Sequence, residues 1–367
     1  MSQYITIIIW LAIVCLISQT IDVYTYENVL GRKEKRIRVG FAILAILPLI
    51  WWTATRDVSF GDTGYYKMAF TSLPTSLSEM PTFLSEIQKD KGFFVLGFIL
   101  KAIVGNNVTV YFFVLAAIQI LCVAMVFRKY SSNFIMALFL FIATTDYFSW
   151  MHNGIRQFTA VALIFAATEL MLKKKYMLVI IVILLASTIH GSALLMIPIF
   201  LVAQGKPWNK KTVLAIVIFA LAIAFVDRFT GALDILLEET QYTNVVSDWE
   251  MWGDDGTNPL RVLVYAIPTL LSLIGLRYIK AANDPVIDFA CNMGVLSTLL
   301  YCLSAVTSGI FIGRLPIYCS MYALGILLPW ELDNMFTKES ARIMKILTVA
   351  GFLLFYYFQM RFAWGLL

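Results

Sequence analysis

Charged side chains are scarce in this sequence. They make up only 14% of its 367 residues, whereas 60% of the residues are hydrophobic. A soluble domain of this length could not hide so much apolar surface in a single core. The alternating apolar and polar pattern of an outer-membrane barrel is also missing, so the backbone polar groups must be satisfied within helices. The sequence therefore predicts an all-α fold, a polytopic integral membrane helix bundle.

Several motifs that would identify an enzyme class are absent as well. There is no GxSxG elbow, no HExxH, no glycine-rich phosphate loop and no carboxylate-dense metal site. The five cysteines are scattered within apolar runs without CxxC spacing, which indicates small core residues. The net charge of +5 comes from basic residues in short loops between apolar runs, where they set membrane topology. No nucleic-acid partner is expected.

Apolar runs long enough to span a bilayer recur from one end of the chain to the other. They leave no room for a separate globular domain, so residues 1–367 are predicted to form a single transmembrane domain. A helix needs roughly 20 apolar residues to cross the hydrocarbon, which predicts about 10 to 12 transmembrane helices with additional short re-entrant or interfacial helices. The first run lacks a basic start and a cleavage site, so it is predicted to be the first helix.

Clusters of lysine and arginine set the predicted orientation, because such residues are enriched in cytoplasmic loops. This rule places both termini and two polar segments, 54–92 and 227–259, on the outer face. The first of these loops is expected to carry a short interfacial helix. The run 92–105 is too short to span and is expected to lie in the outer interface or to re-enter.

The apolar stretch 176–204 has basic residues at both ends, which a single span cannot place on the same side. A break into two short helices at "STIHGSA" (187–193) would satisfy the rule, and its small residues suit a tight turn. A single long, tilted helix is the alternative.

The unusual polar residues all fall on the predicted outer face. Charges at the edge of hydrocarbon are costly unless they line a polar cavity, so this clustering predicts a site that opens to the outer leaflet. The residues concerned are Arg56, Asp57, Asp62, Tyr65, Glu86, Lys91, Arg156, His190 and Arg314.

Arg156 and Arg314 each begin an apolar helix and have no adjacent acidic residue in the sequence. Their side chains could simply extend to the interface, as arginines at helix ends commonly do. Alternatively they bind an anion, since a guanidinium stays charged in a low-dielectric site and grips phosphate oxygens in bidentate fashion. Either interpretation is open for each residue alone.

Three residues are candidate proton acceptors. His190, at the predicted helix break, is either a hydrogen-bonded packing residue or a base or phosphate-binding cation. Asp57 and Asp62 either cap the short helix that follows them or take a proton from a hydroxyl nucleophile. Tyr65 would share a helix face with Asp62 and could stack on a sugar ring or bond to phosphate. The second histidine, His152, is expected to lie exposed in a loop.

Four stretches, taken in order, resemble the Wzy-type polysaccharide polymerases, in the EpsG-like branch found in exopolysaccharide, capsule and O-antigen clusters. The closest match begins with "NGIRQ" at position 153 and continues through "STIHGSA". Lys91 stands where the family usually has an acidic residue, which leaves Glu86 and Asp90 as nearby substitutes. The other matching stretches are "TRDVSFGDTGYY" (55–66), "KGFFVLGFILKAI" (91–103) and "GRLPIYCSMYALGILLP" (313–329).

The resemblance implies a membrane glycosyltransferase in the bacterial plasma membrane, with its active site facing the periplasm or the cell exterior. Such an enzyme joins oligosaccharide repeat units carried on undecaprenyl diphosphate and releases undecaprenyl diphosphate. Donor and acceptor would both be lipid-linked oligosaccharides in the bilayer, and a chain-length regulator and a flippase would be partners. No cofactor is expected, and no metal need be invoked, although the sequence does not forbid one.

The resemblance also implies roles for three sets of residues. The diphosphate and its departing charge would be bound by Arg156, Arg314 and Arg56. The acceptor hydroxyl would be activated by Asp62 or His190, with Asp57 as a further candidate base. The substrate would be contacted by Tyr65, Gln157, Glu86, Trp249 and Trp252.

Two other functions remain open at this level. One is a polytopic flippase or transporter for lipid-linked glycans. The other is an O-antigen ligase or a membrane transferase that adds one sugar at a time, which shares much of the chemistry. Products that grow in steps of a whole repeat would distinguish a polymerase from both.

Overall fold

A computed structural model shows a chain that is almost entirely helical. Within the described residues, the only strands are β1 (Val23–Glu27) and β2 (Lys33–Ile37), which pair antiparallel in a hairpin that the sequence had not indicated. The predicted fold class is confirmed, because the chain is a polytopic helical membrane protein. The structure describes residues 3–21, 23–27, 33–76, 78–237, 249 and 251–367.

Contacts between backbone segments divide the chain into two compact units. The first comprises Met1–Leu194 and Lys338–Leu367, and the second comprises Leu195–Thr337. A compact unit is defined by its contacts and need not fold alone, so the single transmembrane domain stays a prediction.

Short, apolar helices dominate the first unit. The segment 54–92, predicted to carry one short helix, contains two of them, α3 and α4. The helices are α1 (Gln3–Ser18), α2 (Val39–Ala54), α3 (Thr63–Thr71), α4 (Met80–Glu86), α5 (Lys91–Val104), α6 (Val108–Tyr130), α7 (Phe134–Ala143), α8 (Asp146–Asn153), α9 (Ile155–Ala166), α10 (Thr168–Leu172), α11 (Tyr176–Ile189) and, near the C-terminus, Lys338–Phe358.

The second unit begins at Leu195, the last residue of a 3₁₀ turn, and continues into a short helix. Part of the predicted outer loop 227–259 is helical, and its residues 238–248 and 250 lie outside the described residues. The helices are α12 (Met196–Ala203), α13 (Lys210–Ala224), α14 (Val226–Leu237), α15 (Pro259–Ile274), α16 (Leu276–Ala282), α17 (Pro285–Ala305), α18 (Ile317–Tyr322) and α19 (Leu328–Asn334); the C-terminal helix of the first unit (Lys338–Phe358) is α20.

Candidate membrane spans are numerous in the described part of the chain. Three bent helix pairs there raise the number of candidates from four to as many as seven, and five further apolar helices are 10–17 residues long. Length and composition alone select these candidates, so the count of about 10 to 12 spans stays a prediction. The four helices that are long enough individually are Val108–Tyr130, Pro285–Ala305, Ile312–Asn334 and Lys338–Ala363.

The helix α6 lies at the centre of the first unit, where it packs against α2 and α9. Asn107 caps its N-terminus, because the Asn107 side chain accepts a hydrogen bond from the Val110 N–H. Phe70 of α3 stacks on Tyr111 of α6 with 4.0 Å between the ring centroids. Such a ring pair contributes about 0.5–1.5 kcal/mol beyond the area it buries. The stack therefore holds α3, and the polar stretch before it, against α6.

A helix break interrupts the stretch 187–193, as predicted. The helix α11 ends at Ile189, and His190 has an extended backbone with φ −155° and ψ 120°. A 3₁₀ turn over Gly191–Leu195 follows and leads into α12. The alternative of one continuous helix is therefore wrong. The break leaves backbone N–H groups free of helical partners, and one of them is used in the site described below.

The helix α17 lies at the centre of the second unit and packs against α13, α15 and α18. Its buried Asn292 donates hydrogen bonds to the carbonyl oxygens of Ala203 and Lys206, and its side-chain oxygen accepts one from the Trp208 N–H. One amide side chain therefore bonds three backbone groups of the turn between α12 and α13.

Candidate active site

Arg156 lies in the first turn of α9, and Gly154 is the residue between α8 and α9. Its Nη1 is 3.0 Å from Oδ2 of Asp90, in an ion pair where the Arg156 side chain is 21% exposed and the Asp90 side chain 4%. The Arg156 guanidinium also lies beside the hydroxyl of Tyr66, close enough to oppose the rise in the Tyr66 pKa. Arg156 is thus paired with Asp90 and faces Tyr66, unlike an arginine that extends freely into the interface.

Asp90 joins two distant segments through its two carboxylate oxygens. While Oδ2 faces Arg156, Oδ1 accepts a hydrogen bond of 3.3 Å from the N–H of Gly191, the residue after His190. Asp90 has a left-handed backbone (φ 58°, ψ 35°) and directly precedes α5. Burial raises the pKa of Asp90, whereas the charge of Arg156 and the hydrogen bond from Gly191 act in the opposite direction.

The stretch before α3 is anchored to the residues before Arg156. The Asp62 N–H donates a hydrogen bond of 3.2 Å to Oδ1 of Asn153. Gly61 has φ +51°, and a Cβ there would lie 2.9 Å from the same Asn153 oxygen, so only glycine allows this approach. Asp62 occupies the N-cap position of α3, but its side chain makes no capping hydrogen bond.

Two neighbouring tyrosines of α3 play different parts. Tyr66 is buried against Arg156, and burial raises its pKa, with Arg156 opposing the shift and Asp62 adding to it. Tyr65 is 49% exposed and packs edge-on against Tyr66, with 5.4 Å between the ring centroids. Tyr66 is therefore the tyrosine that contacts the arginine, and Tyr65 is the one a ligand can reach.

The other two candidate bases, Asp57 and His190, differ in the hydrogen bonds that their side chains already make. The exposed Asp57 accepts hydrogen bonds from the N–H (2.8 Å) and the Oγ (2.6 Å) of Ser59, in a local turn. These bonds lower the pKa of Asp57 and make it a weaker base. His190 is half-buried, and its Nδ1 lies 2.7 Å from Oγ of Ser192.

Two predicted substrate-binding residues of this unit lie in different surroundings. Glu86 is exposed at the end of α4, whereas Gln157 is buried in the first turn of α9. Glu86 is thus accessible to a ligand, whereas Gln157 is buried.

Arg56 is buried, with 7% of its surface exposed. Its Nη1 donates hydrogen bonds of 3.2 Å to the carbonyl oxygens of Thr53 and Met151, and its guanidinium carbon lies 4.1 Å from the centre of the Phe112 ring. Burial lowers the pKa of Arg56 to about 10. This arrangement ties the end of α2 to α8, which favours a structural role over contact with an open substrate site.

His152 is fully buried, so the expectation that it lies exposed in a loop is wrong. Its ring packs between those of Phe60 and Phe148, at centroid distances of 4.5 and 4.6 Å. Its Nδ1 donates a hydrogen bond of 2.7 Å to the carbonyl oxygen of Phe148, one turn earlier in α8. The polar sequence around it had suggested a loop, but aromatic packing makes the segment a buried helix.

Arg314 belongs to the second unit, where it ends a 3₁₀ turn over Ile312–Arg314. The loop before this turn is fixed by Asp254. Its carboxylate accepts hydrogen bonds from the Oγ of Ser308 (2.5 Å) and from the N–H groups of Gly309 (3.0 Å), Ile310 (2.9 Å) and Gly256 (3.2 Å). Sequence reasoning missed Asp254, because nothing local distinguishes it from the other acidic residues of its loop.

The two predicted tryptophans differ in accessibility. Trp249 is 5% exposed and packs in an apolar cluster with Leu303 and Ile312. Trp252 is 57% exposed and stacks on Phe311, with 5.6 Å between the ring centroids. Of these two tryptophans, Trp252 is thus the one that a sugar could reach, and Trp249 is a core residue.

The sequence profile of the EpsG family matches residues 39–364, which is most of the chain. The chain belongs to the EpsG family. No curated protein and no solved structure matches it. Family membership confirms the resemblance seen in the sequence, and it supports an exopolysaccharide-related polymerase role for this membrane protein.

For this EpsG-family protein, three of the four matching stretches meet in the first unit. The first contributes Asp62 and Tyr66 and the third contributes Arg156 and Gly191, whereas Asp90 directly precedes the second stretch, which begins at Lys91. The sequence indicated Asp90 only as a nearby substitute for the acidic residue that the family usually has at position 91. No other sequence feature pointed to its place in this site. Among the described residues, no group of three or more His, Cys, Asp or Glu side chains is placed to hold a metal ion.

A close approach of α5 to α11 predicts that Gly92→Ala destabilises the EpsG-family protein. A methyl group at Gly92 would lie 2.2 Å from Oγ1 and 2.8 Å from the carbonyl oxygen of Thr188. Because backbone must move to relieve that clash, we expect a loss of about 1–3 kcal/mol in unfolding free energy. Thermal unfolding in detergent measures it. Gly40→Ala, with open space around its Cβ, is the control; equal midpoints for both variants would contradict the prediction.

The pKa of Asp254 predicts a stability difference that depends on pH. Burial alone would raise this pKa above its usual 3.8, but the hydrogen bonds from Ser308, Ile310, Gly309 and Gly256 outweigh burial and lower it. The ionised form therefore stabilises the folded EpsG-family protein above pH 3.8, and this contribution is lost as the pH falls through the folded-state value.

The corresponding measurement compares unfolding midpoints of the wild type and Asp254→Asn at a series of pH values. We expect the wild type to be more stable at neutral pH and its advantage to shrink on acidification below 3.8. Parallel curves over the whole range would show that the carboxylate charge contributes nothing.

Proposed function

We propose that this EpsG-family protein is a membrane glycosyltransferase that polymerises oligosaccharide repeat units linked to undecaprenyl diphosphate. The product would be an exopolysaccharide, a capsule or an O-antigen, made at the outer face of the bacterial plasma membrane. The observation that carries the proposal is a positioned arginine, Arg156, which is paired with Asp90 and lies beside Tyr66, near the more accessible Asp62 and Tyr65. This cluster supplies an anion-binding cation, an acid or base and an aromatic surface in one place.

The proposed reaction transfers the growing chain from one lipid diphosphate to the next repeat unit. The acceptor hydroxyl oxygen attacks the anomeric carbon of the chain, and the bond from that carbon to the diphosphate oxygen breaks. The hydroxyl proton passes to a base, and the electron pair leaves with undecaprenyl diphosphate. Cationic groups stabilise the charge that develops on the leaving oxygen, and each unit offers one candidate, Arg156 in the first and Arg314 in the second. The diphosphate is already a good leaving group, so the proposal requires no metal.

Asp62 and His190 remain the two candidate bases. Asp62 is exposed, and its charge adds to the rise in the pKa of the neighbouring Tyr66. His190 follows α11 and lies beside Gly191, which Asp90 contacts. Asp57 is less suited, because its carboxylate is committed to Ser59 and its pKa is lowered. The exposed rings of Tyr65 and Trp252 offer stacking surfaces for sugars.

The proposed partners follow from this reaction. Donor and acceptor are both oligosaccharides on undecaprenyl diphosphate, and a flippase would deliver them to the outer leaflet. A separate chain-length regulator would set the size of the product.

The decisive experiment uses the purified full-length protein in lipid, a repeat unit on a short polyprenyl diphosphate, and no other enzyme. We expect a glycan ladder that rises by whole repeats, together with release of the polyprenyl diphosphate. A substrate that stays a single unit across several candidate repeats would contradict the proposal and point to transport of lipid-linked glycans. Transfer of one unit to a different acceptor, without a ladder, would indicate a ligase.

A further inference from the structure

Asp90 has an unusual backbone for a residue with a side chain. Its φ of 58° lies in the left-handed region, which non-glycine residues adopt rarely and at an energetic cost. Such a conformation persists only when the surrounding structure enforces it, and it concentrates at functional sites. A helix start could be built without this cost, so the conformation has to be explained by what the side chain reaches.

The side chain of Asp90 is a buried carboxylate whose two oxygens have separate partners. Oδ2 lies 3.0 Å from Nη1 of Arg156, and Oδ1 accepts from the N–H of Gly191 at 3.3 Å. A buried carboxylate is costly unless it is paired and hydrogen-bonded, and here both requirements are met. One side chain therefore connects the start of α9 with the helix break that carries His190.

A second contact presses the same two segments together. Gly92, two residues after Asp90, lies so close to Thr188, two residues before His190, that an added Cβ would be 2.2 Å from the Thr188 Oγ1. The start of α5 and the end of α11 thus approach each other more closely than side chains normally permit. This contact is independent of the ion pair and fixes Asp90 against the helix break.

We propose that Asp90 is a positioning residue that holds the Arg156 guanidinium and the His190-bearing break in one fixed arrangement. The inference rests on the proposed function, because it assigns Asp90 a role in that reaction. Asp90 is 4% exposed as a side chain, so it acts through Arg156 and Gly191 and does not touch substrate. A guanidinium has five N–H donors, and the pair through Nη1 leaves others for a diphosphate.

This role predicts a specific kinetic signature. Asp90 is an anion beside an anion-binding arginine, so removing its charge does not weaken the attraction between Arg156 and a diphosphate. Removing the Asp90 charge does, however, release the Arg156 guanidinium and the helix break at His190 from their fixed positions. Small misplacements of reacting groups cost about 10²-fold in rate. Turnover should therefore fall while substrate affinity is retained.

The test compares wild type, Asp90→Asn and Asp90→Glu as full-length protein in lipid. For Asp90→Asn we expect kcat for polymerisation to fall at least tenfold and KM to stay within threefold or to decrease. Binding of geranylgeranyl diphosphate, a polyprenyl diphosphate without sugar, should likewise not be weakened. Asp227→Asn, which changes an exposed carboxylate of α14, is the control and should match the wild type.

The Asp90→Glu variant tests whether the loss of activity in Asp90→Asn results only from unfolding. It keeps the charge that pairs with Arg156 but moves it by one methylene, so the variant should fold and still lose kcat at least threefold. If Asp90 only stabilised the fold, an Asp90→Glu protein with the same thermal unfolding midpoint as the wild type would also have the wild-type kcat.

Three results would overturn the assignment. They are unchanged kcat in Asp90→Asn, a tenfold loss of geranylgeranyl diphosphate binding in that variant, and wild-type kcat in Asp90→Glu. The two proposals fail in different ways. A wild-type protein that forms no ladder refutes the polymerase function, whereas a ladder that persists at full rate in Asp90→Asn refutes only the role of Asp90.

Discussion

Arg156→Ala is expected to remove the polymer ladder while single repeat units are still supplied. The substitution deletes the cation that the proposed site aims at the departing diphosphate. Loss of one such stabilising group typically costs about 10²–10³-fold in kcat. It also leaves Asp90 as a buried carboxylate without its ion-pair partner, which destabilises proteins by about 3–5 kcal/mol. Size analysis of the glycan made by purified protein measures the first effect, and thermal unfolding measures the second.

Two further variants separate these effects. Arg156→Lys keeps a positive charge for Asp90 but loses the planar, bidentate grip on phosphate, so it should fold normally and polymerise more slowly than the wild type. Arg342→Ala removes an exposed arginine of α20 and should leave the ladder unchanged. Wild-type chain lengths in Arg156→Ala would remove Arg156 from the proposed site.

Asp254→Ala is expected to have the second large effect. Its carboxylate accepts four hydrogen bonds, from Ser308 and from the backbone of Gly256, Gly309 and Ile310, directly before the turn that carries Arg314. Hydrogen bonds to a charged group are worth about 1.5–3 kcal/mol each and are not additive, so we expect a loss of about 3 kcal/mol or more. Because the loop loses its anchor, polymerisation should fall as well.

Asparagine at this position should rescue little. Both oxygens of Asp254 accept from donors, so an amide group would place its NH₂ against another N–H. Asp255→Ala, which changes the exposed neighbouring carboxylate, is the matched control. Thermal unfolding and ladder length are measured for all three variants, and an Asp254→Ala protein as stable and active as the Asp255→Ala protein would disprove the anchoring role.

The membrane fold and the family follow from features that the sequence displays directly. Hydrophobic content and the recurrence of apolar runs decide between a soluble core and a membrane bundle, because the hydrocarbon of a bilayer demands them. The break at His190 was likewise predictable, since basic residues flank 176–204 on both sides and small residues occupy its middle. The short length of the run 92–105 agrees with the 14-residue helix α5.

Local polarity gave a wrong prediction for His152, because packing decides exposure. His152 stands in a polar stretch, yet it is buried. Arg56 was predicted to bind a diphosphate, and the structure packs it on Phe112 against two backbone carbonyls. Tyr65 was predicted to contact substrate and is exposed, and its buried neighbour Tyr66 lies beside Arg156. Residues that are close in space but distant in sequence determine each of these outcomes, so no local sequence pattern predicts them.

The sequence alone determined that this protein is a helical membrane protein of the EpsG family, and that Arg156 and His190 belong to the stretch that most closely matches that family. Only the tertiary structure decided that Asp90 joins those two positions and that Asp254 anchors the loop before Arg314. The physical reason is that hydrophobic spacing is a property of neighbouring residues. An ion pair or a carboxylate anchor depends instead on which distant segments the packed helices bring together.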